Sequence, residues 1–237
     1  MLSRRPLDRS RLAGPVLDAA RDLLGRLFEA RSPEGTVAVR LTEVEAYAGT
    51  ADPASHAYHG RTSRTAVMFG PPGHLYVYFV YSMHWCCNVV CGVDGAASAV
   101  LLRGGAVVSG VELARARRVT AKSDIELARG PARLAAVLGM DGRANGIDLC
   151  GRGSPARLLS GAPVPDSAVR HGPRVGVASA GDVPWRLWIA ADPTVSAYRL
   201  GGRRRRLDGI SPTPPPASRS PTDLRGAAPA DGPAASG

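Results

Sequence analysis

The stretch "GTVAVRLTEVEAY", residues 35–47, alternates so that Val37, Val39 and Leu41 share one face, and the same parity runs on into Glu43 and Glu45. Two carboxylates at the end of an apolar face are costly to bury unless cations or hydrogen-bond donors satisfy them, or unless their basicity is put to use. For Glu45, structural pairing and general-base work are both open on these residues alone, and a bulge in the strand would change the parity. A second concentration lies in "MFGPPGHLYVYFVYSMHWCCNVV", residues 68–90. Six of the chain's twelve Phe, Tyr and Trp residues (Phe69, Tyr76, Tyr78, Phe79, Tyr81 and Trp85) fall within seventeen positions there. Leu or Val would supply core volume at no polar cost, whereas each tyrosine needs a place for its hydroxyl.

Other chemistry-bearing residues give weaker patterns. Asp52, His56, His59, His74 and His84 invite a metal-hydrolase reading, but none forms HExxH, and His56 to His59 sit in a loop rich in Gly, Ser and Pro. No metal site and no cofactor is expected. Phosphate-loop, dinucleotide-loop and serine-elbow motifs are absent from the sequence. Cys86, Cys87, Cys91 and Cys150 contain no CxxC pair, so they read as reduced structural thiols.

The elements that would position these residues follow from periodicity. "PVLDAARDLLGRLFEA" from Pro15 carries Val16, Leu17, Ala20, Leu23, Leu24, Leu27 and Phe28 at helical spacing, which predicts an amphipathic helix over the whole segment. "HLYVYFVY" and "WCCNVVCG" read as two strands joined by a turn around Ser82 to His84, with Tyr76 and Tyr78 on one face and Tyr81 projecting from the hairpin end. "SAVLLRG" is a short strand, followed by a helix around Val111 to Arg118. Gly130 and Pro131 open a third helix that Gly139 ends. "RVGVAS" and "PWRLWIAAD" read as later strands. Helices interspersed with short, non-repeating strands predict a single mixed α+β domain over residues 1–200.

Past Leu200 the composition changes. Seven of the twenty prolines lie in the last 37 residues, which hold almost no large apolar side chains, so residues 201–237 are expected to form a disordered Arg/Pro/Ala-rich tail. The net charge of +10 suits a polyanionic partner. A bland origin competes with that: of 30 basic residues only Lys122 is lysine, and Ala, Gly and Pro abound, as a GC-rich genome would give. Neither a membrane span nor a secretory signal is readable, and the expected location is the cytoplasm, with the nucleoid.

The block "TEVEAYAGTADPASHAYHGRTSRTAVMFGPPGHLYVYFVYSMHWCCNV", with "AVLLRG", "ARGPARLAAVLG" and "PRVGVASAGD", closely resembles the alkyladenine (methylpurine, 3-methyladenine) DNA glycosylases. The resemblance spans residues 6 to 200 and rests on E-A-Y, a His nine residues past that Tyr, M-F-x-x-P-G-x-L-Y-V-Y-x-x-Y and L-L-R. It implies a curved antiparallel sheet with a hairpin wedge and surrounding helices, acting as a monomer on double-stranded DNA that carries a damaged purine. By position, Tyr47 and Tyr78 would sandwich a flipped base, His56 would complete the pocket, and Asn88 would crowd the 2-amino group of guanine. Tyr81 would wedge into the vacated gap, with Met68 near the intercalation site. Glu45 would be the catalytic base, Arg103 would help hold the attacking water, and the main-chain carbonyl of Val175 would be a third contact, leaving Glu43 structural. A strand-nicking glycosylase usually needs an amine for a Schiff base, and the lone Lys122 lies far from these motifs, so a monofunctional enzyme is expected. The competing class is a noncatalytic nucleic-acid-binding protein, which would have no use for a buried carboxylate near phosphates.

Overall fold

The structure is a computed structural model that describes residues 5–200. The tail expected over 201–237, with Arg203 to Arg206, lies outside the described residues. Helix α1, Val16–Leu23, is shorter than the periodicity predicts. Leu24 already has extended backbone (ψ 131°), and Gly25 takes φ 79°, a left-handed corner where a side chain would meet the Ala162 carbonyl at 2.6 Å. The remaining apolar positions belong to strand β1, Leu27–Ser32, where Leu27 and Phe28 are still fully buried. The apolar run is buried as its composition implies but extended instead of helical, because a short apolar run fits either element.

β1 turns directly into β2, Gly35–Tyr47, the longest strand and the spine of the fold. The hairpin strands are β3, Leu75–Val80, and β4, His84–Val90; β5, Ala99–Ser109, is longer than the short strand predicted. Then come α2, Val111–Arg117, α3, Pro131–Leu138, and the strands β6, Ala156–Leu159, β7, Val169–Gly172, and β8, Arg186–Ile189. All the pairings are antiparallel, in the order β3-β4-β5-β2-β1-β6, with the β7–β8 hairpin joined through β8 to Glu43–Glu45 of β2. This is the mixed α+β architecture expected, with the helices packed on an open sheet. "RVGVAS" is not a strand: Gly176 at φ 74° breaks the extended run, and residues 174–179 form a loop after β7.

The parity of β2 is where structure departs most usefully from sequence. Leu41 pairs with Gly105 and Glu43 with Gly104, so Thr42 is an extra residue; Val44 then pairs with Leu102, so Arg103 is an extra residue on the partner strand. Two compensating bulges therefore face each other. After them the core face of β2 is carried by Val44 and Ala46, which join Val37, Val39 and Leu41 in the main apolar cluster. Glu43 and Glu45 are thereby swung off the core face, and the continued parity of the sequence reading is corrected. Both remain fully buried, because β5 covers one flank of this part of β2 and β8 the other.

Candidate active site

Arg103 sits at the β5 bulge, 6% exposed, and reaches back to both carboxylates. Its Nε donates to Glu43 Oε1 at 3.0 Å and its Nη1 to Glu45 Oε2 at 3.4 Å, with Nη2 3.4 Å from Ser196 Oγ. Glu43 also accepts from Arg186 Nε at 2.7 Å, from the Ser196 amide at 2.7 Å and from Ser196 Oγ at 2.9 Å. Room for this carboxylate depends on Gly104, where an added Cβ would stand 3.2 Å from Glu43 Oε2. Glu43 is thus saturated by four donors and held within the fold.

Glu45 has lighter company. It accepts from the Val175 amide at 2.6 Å and from the Tyr47 hydroxyl at 2.9 Å, besides the long contact with Arg103. Burial pushes its carboxyl above the usual carboxylate range, and Arg103, the Val175 N–H and the Tyr47 hydroxyl pull it back without cancelling the rise. A buried carboxylate of raised basicity with incomplete pairing is suited to taking a proton.

Beside this group lies a cavity of about 500 Å³, lined among others by Tyr47, His56, Tyr78, Asn88, Arg103 and Val175. Tyr76 and Tyr78 stack with ring centroids 5.6 Å apart, and His56 meets Tyr78 edge-on at 4.4 Å. The hydroxyls find partners: Tyr47 donates to Glu45, and Tyr76 pairs with His56 Nδ1 at 3.1 Å. Burial, with the nearby Arg64 guanidinium, lowers His56 to about 4, although the ring presents more than a third of its surface to the open cavity and solvent screens part of that shift. Asn88 is buried with Nδ2 donating to the Tyr76 carbonyl at 3.2 Å, which fixes its amide in the cavity wall.

The hairpin β3–β4 carries Tyr81 to the cavity rim. The turn comprises Tyr81 to Met83, one residue earlier than predicted, and His84 begins β4. Tyr81 and Ser82 have φ of 52° and 51°, and Met83 N–H donates to Val80 O at 3.2 Å. A left-handed backbone is unusual for a tyrosine and costs about 1–2 kcal/mol. It leaves the Tyr81 ring 77% exposed at the tip.

Met68 is 2% exposed, packed with Tyr76, Val90, Ala97 and Ala99, and lines the same cavity as Tyr81. Exposed Met83 stands on the hairpin tip, a residue the sequence reading passed over. The Val175 N–H holds Glu45, a contact beyond the carbonyl role expected of this residue. Asp52, a metal-ligand candidate by type, is taken up by the fully buried Arg174, and among the described residues no cluster of three or more His, Cys, Asp and Glu is arranged to hold a metal ion. The four cysteines are free thiols. Arg174, Arg186 and Ser196, which complete the charged core, were not singled out from sequence; "PRVGV" contains the first of them, but nothing in its spacing signals a partner.

The sequence pattern of the family described as Methylpurine-DNA glycosylase (MPG) matches residues 10–193. A protein of Streptomyces avermitilis is 58% identical over 205 residues, covering 86% of this chain and 96% of its own. One from Nocardia farcinica is 51% identical, covering 78% and 88%, and one from Frankia casuarinae 50%, covering 81% and 92%. All three bear the name "Putative 3-methyladenine DNA glycosylase".

Proposed function

The chain belongs to the methylpurine-DNA glycosylase family, and from that premise we propose that it initiates base excision repair by hydrolysing the N-glycosyl bond of alkylated or deaminated purines flipped out of duplex DNA. The observation that carries the reading is the placement of Glu45 behind an aromatic-walled cavity: a buried carboxylate of raised basicity is held by Tyr47, Arg103 and Val175, which themselves line a space large enough for a purine. Extruding a nucleotide costs a few kcal/mol, and stacking returns about 1–3 kcal/mol per base. Tyr47 and Tyr78 wall the flipped base, His56 and Asn88 read its edge, and Tyr81 fills the gap it leaves in the stack.

Glu45 accepts a proton from water as the water oxygen bonds to C1′, the C1′–N bond breaks, and its electron pair leaves with the purine. Arg103 supports this step with its long, weakly engaged Nη contacts, and the Val175 segment fixes the carboxylate. His56, held neutral, can offer a hydrogen bond without adding a cation beside an already cationic alkylpurine. Lys122 is exposed and outside the cavity lining, in keeping with a monofunctional enzyme that leaves an abasic site. The catalytic unit is assigned to residues 1–200, acting as a monomer at the nucleoid.

The test uses the purified full chain, with chelator present, on duplexes carrying one hypoxanthine or one ethenoadenine and on methylated DNA. Abasic sites that break only after alkali, and that vanish with Glu45→Gln, are the expected result. Tight lesion binding without base release from any of the three would replace the enzyme by a nucleic-acid-binding protein.

A further inference from the structure

Arg174 lies outside the proposed reaction and outside the pocket lining, yet it touches Tyr47 and, through Asp52, the loop that leads to His56. Its side chain is fully buried, and it donates to both oxygens of Asp52, to the Ala46 carbonyl at 3.0 Å and to the Ala180 carbonyl at 3.4 Å. Asp52 in turn accepts from the amides of Ala48 and Ala54, capping the loop that leads to His56. Burial alone would raise the Asp52 carboxyl; Arg174 and these amides outweigh it and hold the group below the usual range, so the pair is charged. The next residue after Arg174 is Val175, whose amide holds Glu45.

The geometry at Tyr47 goes further than bracing. The Arg174 guanidinium lies over the Tyr47 ring with Cζ 4.7 Å from its centroid, and over Trp185 at 5.4 Å. Tyr47 lines the cavity while Arg174 and Trp185 do not, so the cation sits on the closed face of the ring and a base would stack on the open one. A cation on one face of an aromatic ring draws π density toward itself and weakens the ring's attraction for a second cation on the other face. In water this would be screened, but the closed face is packed against buried Arg174 and the open face loses its water once a base stacks on it.

We propose that Arg174, held by Asp52 behind Tyr47, is a specificity-determining residue that biases the pocket toward neutral lesion bases and against cationic alkylpurines. The proposal rests on the glycosylase reading. Arg174 touches no substrate atom; it acts through the ring that does.

The experiment compares single-turnover base release, at saturating enzyme, from two duplexes identical except for one 7-methylguanine, cationic, or one hypoxanthine, neutral. Arg174→Gln with Asp52→Asn removes both charges but keeps a planar, hydrogen-bonding pair. The ratio of cationic to neutral release should rise by about threefold or more, the scale of a partial loss of one cation–π interaction. Arg174→Lys keeps the charge but loses the planar fork and the stacked contact, so its ratio should fall between those of the parent and the double variant. Asp52→Asn alone leaves the guanidinium without its counter-charge and should move the ratio the other way, which also decides the matter if the double variant does not fold. Equal slowing on both substrates in the double variant, or a ratio that moves in the same direction in Asp52→Asn as in the double variant, would reduce Arg174 to a brace and overturn the proposal. Failure of the parent chain to release either base would instead refute the glycosylase reading.

Discussion

Glu43 and Glu45 are two residues apart, equally buried and bridged by one arginine, yet their replacement by glutamine should have opposite consequences. Glu43 accepts four hydrogen bonds, two of them from Arg103 and Arg186. In Glu43→Gln one oxygen becomes an amide that faces donors, and two buried guanidiniums are left with Glu45 as their remaining carboxylate. Breaking such a buried pair costs about 3–5 kcal/mol. Glu45 is held by two close donors and one distant one, and its raised pKa means that burial disfavours its charge. Glutamine keeps its shape, accepts from the Val175 amide and can donate to the Tyr47 oxygen, so Glu45→Gln should change stability by less than about 1 kcal/mol.

The rate should behave in reverse. Glu45→Gln loses the proton acceptor, a loss of about 10²–10⁴-fold. Urea unfolding and single-turnover base release, measured on both variants, test the pair together. A Glu45→Gln protein as unstable as Glu43→Gln, or one that releases base within about tenfold of the parent, would refute the division of roles. The pH dependence has a definite sign. Because the folded pKa of Glu45 lies above the unfolded value, its contribution to stability is present below the unfolded pKa and lost as pH rises through the folded one, while base release rises over the same window as the carboxylate forms.

Arg103→Met leaves Glu43 and Glu45 with Arg186 as their nearest cation, and should cost about 3–5 kcal/mol in urea unfolding at neutral pH, with part of the loss recovered in acid as Glu45 protonates. Tyr81→Ser removes a ring that is 77% exposed, so stability should stay within about 0.5 kcal/mol, whereas the flipped state of ethenoadenine, followed by its fluorescence in the duplex, should be depleted; an undiminished flipped population would remove Tyr81 from that role. Ser82→Gly relieves a backbone at φ 51° and should stabilise the hairpin by about 0.5–1 kcal/mol. His56 at about 4 is already neutral at pH 6, so base release should show no inflection between pH 6 and 7 that His56→Gln abolishes.

The tyrosine-rich hairpin and the carboxylate pair were legible because each breaks a local rule: polar aromatics where aliphatics would serve, and acids on an apolar face. What was not legible depends on partners distant in sequence. The β2 bulge exists through its pairing with β5, some sixty residues away, and no pattern in "RLTEVE" announces that Thr42 is skipped. The helix boundary failed because Gly25 ends α1 while the apolar spacing continues by coincidence into β1. Arg174 was invisible because in a chain with 29 arginines residue type alone marks none of them.

The bulges also explain how a basic protein can keep acids beneath a surface meant for phosphates. Without them Glu43 and Glu45 would point into Val39, Leu41 and their neighbours, where no cation could follow. With them, the same two extra residues that turn the carboxylates outward bring Arg103 across from β5, and Arg186 arrives from β8 on the other flank. Two acids and two bases then cancel formally, so the site neither repels DNA nor loses its buried charges to solvent. The cancellation is uneven: Glu43 takes the close contacts of Arg186 Nε and the Ser196 amide, and Arg103 is anchored to it through its Nε. Between Arg103 and Glu45 only long contacts remain, with the outer nitrogens of Arg103 3.4 Å from Glu45 and Ser196, and on the proposed reading these loosely held groups are the ones that hydrolysis of a glycosyl bond uses.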